Sequence, residues 1–96
     1  MLLRRGMWGR HRILSTACVE RMLEPCPLNP QYGYLWWLNT GRALYPSAPA
    51  ASFYARGAGG NLTWIDPEDD IVAVLRWTDP AAMDGFMKRT MAALGR

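Results

Sequence analysis

The feature that most constrains the fold is a pair of apolar segments separated by a short acidic turn. Residues 61–65 and residues 71–77 (IVAVLRW) are rich in residue types that favour strands, and residues 66–70 (DPEDD) lie between them. Proline presets the backbone for the second position of a turn, so the three segments predict two antiparallel strands joined tightly. Because residues 71–77 are almost continuously apolar, we expect that strand to lie at the centre of a sheet, buried on both faces.

Two helices and one further strand complete the predicted fold. Ser15 can cap a helix over residues 16–23, which ends at Pro25 and Pro27. Residues 32–38 (YGYLWWL) predict the strand, and residues 42–52 predict an irregular connection, after which residues 53–56 (FYAR) lead into a glycine cluster. Asp79 and Pro80 predict the start of a terminal helix. The apolar face of the first helix would hold Cys18, Val19, Met22 and Leu23, and that of the second Met83, Phe86, Met87, Met91 and Leu94. This order predicts an α+β fold, with an antiparallel sheet of about three strands flanked by helices, one of them C-terminal.

Composition limits the classes of protein to which the chain can belong. With 96 residues, half of them apolar and a net charge of +3, it is expected to form one globular unit rather than two domains or a disordered chain. Cys18, Cys26 and the single His11 cannot supply four zinc ligands, so no metal or cofactor is expected. The apolar run at residues 1–3 is too short for a signal peptide, and no stretch suits a membrane span. We therefore expect no membrane partner; the compartment stays open, with the cytoplasm slightly favoured.

The most informative local motif is the glycine cluster at residues 56–61 (RGAGGN). It is not a phosphate-binding loop, because no Lys-Ser or Lys-Thr follows, and it does not precede a helix as a dinucleotide fingerprint would. Glycine is used where backbone must lie close to another group. Exposed N–H groups there could stabilise an oxyanion, although spacing alone favours an ordinary turn.

The usual nucleophilic residues are not arranged for catalysis in this sequence. The only lysine is Lys88, and Gly85 stands where a Ser-x-x-Lys motif needs serine. His11 lies among arginines and is expected to be a solvated side chain rather than a base. The acidic segment 66–70 has no calcium-loop spacing and is expected to be a solvated turn.

Two further groups of residues permit a binding role. Four tryptophans could form a stacking platform for single-stranded nucleic acid, but at strand positions they are more typical of a core; they are Trp36, Trp37, Trp64 and Trp77. Four arginines could form a basic arm, namely Arg4, Arg5, Arg10 and Arg12. Because the net charge is small, we expect no nucleic-acid partner.

Four segments in their order along the chain resemble one enzyme family. They are residues 2–15 (LLRRGMWGRHRILS), 32–39 (YGYLWWLN), 53–61 (FYARGAGGN) and 64–74 (WIDPEDDIVAV). Together they look like the last third of a serine hydrolase of the beta-lactamase family. The most similar branch holds class C beta-lactamases, beta-lactamase-like esterases and 6-aminohexanoate-dimer hydrolases. The resemblance covers nearly the whole chain, and the order and spacing of the segments make it specific.

The resemblance implies a partial beta-lactamase/transpeptidase-like fold and acyl transfer through a serine ester. Such enzymes use a Ser-x-x-Lys motif, a Tyr-x-Asn-type loop and a third motif on a strand that lines the pocket. Only the third has a counterpart here, at residues 56–60. By this resemblance the N–H of Ala58, or alternatively of Gly57, would serve the oxyanion hole, and Arg56, Gly59 and Gly60 would line the pocket. Residues 55–57 (ARG) stand where many relatives carry Lys-Thr-Gly or His-x-Gly.

Two functional hypotheses of different classes follow. In the first, residues 1–96 are the C-terminal portion of such a hydrolase domain, incomplete and inactive alone, with an N-terminal portion as complementing partner. An ester, amide or beta-lactam would then be a substrate only in the full-length context. In the second, the chain is a small Trp-rich binding or assembly module without catalysis. A third, weaker possibility is nucleic-acid binding through the arginine arm.

Overall fold

Two antiparallel sheets and two α-helices make up the fold in the computed structural model, which describes residues 1–96. The strands are β1 (Met7–Trp8), β2 (His11–Arg12), β3 (Trp37–Leu38), β4 (Phe53–Gly57), β5 (Asn61–Asp66) and β6 (Ile71–Leu75), and the helices are α1 (Thr16–Met22) and α2 (Met83–Ala93). β1 pairs with β2, and the main sheet has the order β3-β4-β5-β6. The α+β prediction is confirmed, but the main sheet has four strands rather than about three, and the short β1–β2 pair was not predicted. Neither helix has the length and apolar character needed to cross a membrane.

β6 lies at the edge of the main sheet, so the prediction of a central strand was wrong. Val72 and Val74 are 54% and 64% exposed, whereas Leu75 on the opposite face is buried. Successive side chains of a strand point to opposite faces. Residues 71–75 therefore carry apolar side chains on both faces of the sheet, but only the face that holds Leu75 is covered.

The strand predicted at residues 32–38 is limited to its last two residues. The chain reverses inside this run: Tyr32 bridges Trp37, and the N–H of Gly33 donates to the carbonyl of Trp36 over 2.8 Å. Leu35 lies at the tip, with a left-handed φ of +64°. A run of strand-favouring residues therefore forms a tight turn followed by a short strand, because pairing with β4 begins only at Trp37.

The larger core lies between the main sheet and α2. Tyr54, Leu62 and Trp64 point from β4 and β5 to the face that α2 covers, and all three are buried. The residues of α2 that meet them are Met83, Met87 and Met91. Their spacing of four places them along one stripe of the helix. Phe86 and Leu94 remain 40% and 47% exposed, contrary to expectation, since Phe86 lies at the side of this stripe and Leu94 follows the last helical residue.

The N-terminal segment covers part of the opposite face. Leu38, Phe53 and Ile65 form a second buried cluster, on which Leu2, Leu3, Leu23 and Trp36 pack. Helix α1 begins as predicted, since the hydroxyl of Ser15 accepts from the N–H of Cys18 over 3.0 Å. Only Val19 of its predicted apolar face is fully buried. Both thiols are free: Cys18 is exposed and Cys26 half-buried.

Asn39 organises the irregular connection that leads to β4. Its buried amide nitrogen donates to the carbonyls of Tyr45, Ala48 and Pro49, at 2.9, 3.1 and 3.1 Å. Its amide oxygen accepts from the N–H of Tyr45 over 2.8 Å. One side chain therefore satisfies four backbone groups of a segment that forms neither helix nor strand.

Candidate functional site

The glycine cluster forms the turn between β4 and β5. Gly57 and Asn61 are the last paired residues of the two strands, so residues 58–60 form the turn itself. Gly59 and Gly60 have φ angles of +84° and +75°. Residues with a Cβ adopt this left-handed conformation only at a cost, so the turn requires glycine at both positions.

Asn61 connects this turn to the segment after β6. Its amide nitrogen donates to the carbonyl of Ala58 over 2.8 Å, and its amide oxygen accepts from the N–H of Trp77 over 3.2 Å. The N–H of Thr78 donates to the carbonyl of Gly60 over 3.0 Å. The turn is therefore held from both sides by hydrogen bonds, which favours a single conformation.

The two glycines also permit close packing against that segment. A Cβ at Gly60 would overlap the carbonyl oxygen of Thr78, and a Cβ at Gly59 would lie 2.5 Å from the indole ring of Trp77. The ring of Trp77 remains 73% exposed to solvent. The turn thus presents bare backbone beside an exposed aromatic surface.

Three consecutive N–H groups in the turn have no hydrogen-bond partner within the chain. The N–H groups of Ala58, Gly59 and Gly60 donate to no other atom of the chain. Ala58 and Gly59 are exposed, whereas Gly60 is buried against Thr78. Two exposed residues of the turn therefore carry unpartnered N–H groups, and Ala58 is the one that the family resemblance singled out; Gly57 lies in β4, paired with Asn61.

An open depression of about 510 Å³ lies beside the turn, across the ends of β4, β5 and β6. It is lined by Ala55, Arg56, Gly57, Asn61, Leu62, Thr63, Val74, Leu75 and Arg76. Of the residues expected to line a pocket, Arg56 does so, while Gly59 and Gly60 do not. The guanidinium carbon of Arg56 lies 4.8 Å from the ring centroid of Trp37, close enough for a cation–π contact that restrains this side chain.

No histidine or lysine forms a hydrogen bond with any of the three serines, and only Ser47 has a carboxylate partner. Ser15 caps α1, Ser47 donates to a carboxylate oxygen of Asp84 over 2.8 Å, and Ser52 accepts from the indole N–H of Trp64 over 3.0 Å. Ser52 and Ala58 flank the two ends of β4, which at roughly 3.3 Å per residue places them about 20 Å apart. A nucleophile acting with the Ala58 donor must therefore come from elsewhere than these serines.

The buried tyrosines are unsuited to act as bases. Burial raises the pKa of Tyr45 and of Tyr54 above the usual value of 10.0. Both phenols are therefore neutral at physiological pH and can only donate a proton in a hydrogen bond or accept one through oxygen. The hydroxyl of Tyr54 has no partner in the chain.

The prediction that the acidic turn at residues 66–70 is solvated was wrong for Asp66. Its side chain is fully buried, and Oδ1 accepts from the N–H groups of Glu68 and Asp69, at 3.0 and 3.3 Å. Oδ2 has no partner, and burial raises the pKa of this carboxyl above 3.8. The carboxylate braces the turn from inside, as an Asx-type turn does, which the sequence pattern did not distinguish from a solvated one.

Most arginines of the predicted basic arm have partners within the chain, and His11 has no neighbouring metal ligands. Arg4 forms an ion pair with Asp70, and Arg5 lies 3.5 Å from Glu20. Arg12 donates to two backbone carbonyls, so three of the four arm residues have intramolecular partners. His11 is exposed on β2, and no group of three or more His, Cys, Asp or Glu side chains is placed to hold a metal ion.

Two residues next to the glycine turn were not identified as site residues from the sequence. Asn61 directly follows Gly-Gly, and asparagine is a common turn residue, which was the available signal. Trp77 was assigned to a buried strand, but its left-handed φ of +54° ends β6 and leaves the ring exposed. Compared with protein-family models, with curated proteins and with solved structures, the chain shows no match.

Proposed function

We propose that residues 1–96 are the C-terminal portion of a beta-lactamase-like serine hydrolase domain and supply its oxyanion-hole donor. The observation that carries the proposal is the unpartnered N–H of Ala58, an exposed residue in a glycine turn that hydrogen bonds hold in place. An antiparallel main sheet followed by a terminal helix supports the proposal, because the resemblance implies an antiparallel sheet with flanking helices. The framework would be the corresponding part of a beta-lactamase/transpeptidase-like fold.

In such a site the turn would act on the carbonyl group of the substrate. Attack on an ester, amide or beta-lactam carbonyl places negative charge on its oxygen in the transition state. An N–H fixed in advance stabilises that charge, and loss of one such donor typically costs about 2.7–4 kcal/mol in the barrier. Because Asn61 and Thr78 hold the turn, the Ala58 N–H needs little reorganisation when the charge develops.

The same proposal predicts that the 96 residues alone form no acyl-enzyme. The serine hydroxyls serve a helix cap, a carboxylate and an indole, and the single lysine, Lys88, is exposed on α2. The Asp84 carboxylate that accepts from the Ser47 hydroxyl also accepts from the Ser47 N–H, and no histidine or lysine contacts any of the three hydroxyls. Without a histidine or lysine to remove its proton, a serine hydroxyl is a weak nucleophile. The nucleophile and base would come from an N-terminal portion that carries Ser-x-x-Lys.

The first experiment tests the chain as it is. We expect no turnover of a chromogenic ester or a chromogenic cephalosporin, and no labelling by a fluorophosphonate, measured by intact-protein mass spectrometry. Stoichiometric attachment of the label at Ser15, Ser47 or Ser52 would contradict the proposal, because that serine would then be activated by means the structure does not contain.

A second experiment tests the role of Ala58. Where the coding sequence upstream of Met1 continues in frame through a Ser-x-x-Lys motif, the longer protein should hydrolyse esters. Ala58→Pro deletes the N–H and should lower kcat by about 10²–10³-fold, whereas the matched Ala58→Gly variant retains the donor and should stay close to wild type. Circular dichroism should confirm that both variants fold. Equal activity of the two variants would show that this N–H is not the donor.

One observation favours the second hypothesis, a Trp-rich binding or assembly module. Trp8 and Trp77 are 68% and 73% exposed. Large exposed aromatic side chains are typical of interaction surfaces. Under this hypothesis the 96 residues alone should bind an apolar ligand with a change in tryptophan fluorescence, Trp77→Ala should remove that change, and Ala58→Pro should not.

A further inference from the structure

We propose that the free edge of β6 is an interface at which two copies of this chain pair. The two β6 strands would run antiparallel about a two-fold axis that passes through Ala73, normal to the sheet. The main sheets of both copies would then continue into one another. The C-terminal end of β6 also borders the depression beside the glycine turn, through Val74, Leu75 and Arg76. The pairing uses the free edge of the strand and does not require that the turn serve acyl transfer.

The backbone of β6 carries none of the usual protection against pairing. An edge strand presents unpaired N–H and C=O groups, which proteins usually shield with charges, proline, bulges or a covering segment. The five residues Ile71–Leu75 contain no charged residue and no proline, and their register with β5 is unbroken. The opposite edge, β3, is only two residues long. β6 is therefore the edge that offers a complete template for another strand.

The exposed side chains of β6 are apolar and suit the same arrangement. Val72 and Val74 point to the sheet face that the N-terminal segment leaves uncovered at this edge, and both are more than half exposed. In the two-fold arrangement, residues equally distant from Ala73 face each other. Val72 of each copy would then lie opposite Val74 of the other, and four valines would form one row across the junction. Cross-strand pairs of β-branched residues stabilise antiparallel sheets.

The charged residues at the two ends of β6 favour this register and favour a second copy of the chain as the pairing partner. Asp70 directly precedes the strand, Arg76 directly follows it, and the arrangement centred on Ala73 places each Asp70 opposite Arg76 of the second copy. Arg76 is exposed and its guanidinium has no carboxylate or hydrogen-bond partner within its own chain. A shift of two residues, the smallest that keeps the same faces together, would move Asp70 away from Arg76. A second copy is therefore complementary at both ends of the strand.

The other charged groups near this edge are compatible with the pairing. Asp70 already binds Arg4 of its own chain, with a second guanidinium contact of 3.1 Å, yet its side chain remains 62% exposed. Asp69 is paired with Arg96 over 2.6 Å. Each Asp70 would therefore lie between two arginines, one from each copy, without a like charge opposite it. Because these pairs are exposed, the association should weaken as salt concentration rises.

The test is sedimentation equilibrium of the 96-residue protein from micromolar to near-millimolar concentration. We expect reversible association between monomer and dimer. Arg76→Glu turns two attractions into two repulsions and should raise the dimer dissociation constant by about tenfold or more. Arg89→Glu is the matched control, since Arg89 is exposed on α2 and carries the same charge change away from β6. It should leave the dissociation constant within about twofold of wild type.

Cross-linking tests the register independently of charge. Opposed Cβ atoms in an antiparallel pair lie about 4.5–5.5 Å apart, which is near the separation that a disulfide spans. In a Cys18→Ser/Cys26→Ser background, Val72→Cys combined with Val74→Cys should give a covalent dimer on mild oxidation, and Val72→Cys alone should not. Both positions are more than half exposed, so the changes should leave the core intact.

Three outcomes would overturn the proposal. The first is a monomer at every concentration, in which case the free edge of β6 would be available only to a strand of a different chain. The second is a dimer that has the same dissociation constant in the Arg76→Glu and Arg89→Glu variants and that forms no disulfide in the Val72→Cys/Val74→Cys variant. Such a dimer must use another surface. The third is growth into larger assemblies, because a two-fold pairing of β6 closes on itself.

Discussion

Replacing Asn39 with alanine should remove a large part of the stability of the fold. The substitution removes the two Nδ2 protons, which are shared among three carbonyls, and the acceptor Oδ1. Asn39 is fully buried, so backbone groups of the connection would be left without a partner. Three hydrogen bonds at about 1 kcal/mol each, together with the cost of the unpaired buried groups, give a loss of roughly 3–5 kcal/mol.

That loss is large compared with the stability expected for a chain of this size. At about 0.05–0.15 kcal/mol per residue, the whole fold has a free energy of unfolding of roughly 5–14 kcal/mol. A change of 1 kcal/mol shifts the melting temperature of a small domain by about 4–8 °C, so the Asn39→Ala variant should melt at least about 12 °C lower. Urea unfolding followed by tryptophan fluorescence would measure the free energy, and circular dichroism the Tm.

Two further variants test whether the loss of stability comes from the buried hydrogen bonds of Asn39 or simply from replacing an asparagine. Asn29→Ala is the matched control, because Asn29 is exposed and accepts one bond, from the N–H of Gln31; it should cost about 1 kcal/mol or less. Asn39→Asp retains an acceptor for the N–H of Tyr45 but turns a carboxylate toward three carbonyls. It should be at least as destabilised as Asn39→Ala at neutral pH and should recover part of the loss in acid. Equal stability of Asn39→Ala and Asn29→Ala would refute this account.

Three shorter predictions concern the turns and the first helix. Gly60→Ala should destabilise the fold by about 2 kcal/mol or more, because its Cβ overlaps the backbone of Thr78; Gly9→Ala, with positive φ but open space, should cost only about 1 kcal/mol in the same urea assay. Ser15→Ala removes the cap of α1 and should cost about 1 kcal/mol, measured by urea unfolding. Burial raises the pKa of Asp66, so the folded state holds the carboxyl proton more tightly than the unfolded state does. The free energy of unfolding should therefore fall as pH rises from 3.8 through the raised pKa. Asp66→Asn should remove this fall when unfolding is measured across the same pH range.

Each of these predictions has a result that contradicts it. Equal destabilisation by Gly60→Ala and Gly9→Ala would mean that Thr78 moves aside without cost. An unchanged free energy of unfolding in Ser15→Ala would mean that water caps α1 equally well. An Asp66→Asn variant with the wild-type pH dependence would assign that dependence to another carboxyl group.

The elements predicted correctly from the sequence are those whose signals are local. The turn at residues 66–70 carries proline and acidic residues, and the glycine turn carries three glycines within four positions, so both joined the strands where expected. Ser15 and Asp79 each accept a backbone N–H at the start of a helical segment, as their residue types predict. Such signals lie within a few residues of the structure that they specify.

The errors concern properties that depend on distant parts of the chain. A strand of five apolar residues is compatible with the centre or the edge of a sheet, and only the strands beside β6 decide between them. Asp66 has the residue type of a solvated turn but is buried by packing that the local pattern does not specify. The free N–H of Ala58 could be proposed from glycine content, whereas the exposed ring of Trp77 beside it depends on a left-handed residue that no local signal marks.

Both ends of the chain are attached to the same hairpin tip. Arg4 binds Asp70 and Arg96 binds Asp69, two neighbouring residues between β5 and β6. A tag added at either end would consequently emerge beside this tip, next to the strand whose association is in question. Untagged protein is therefore the appropriate sample for sedimentation.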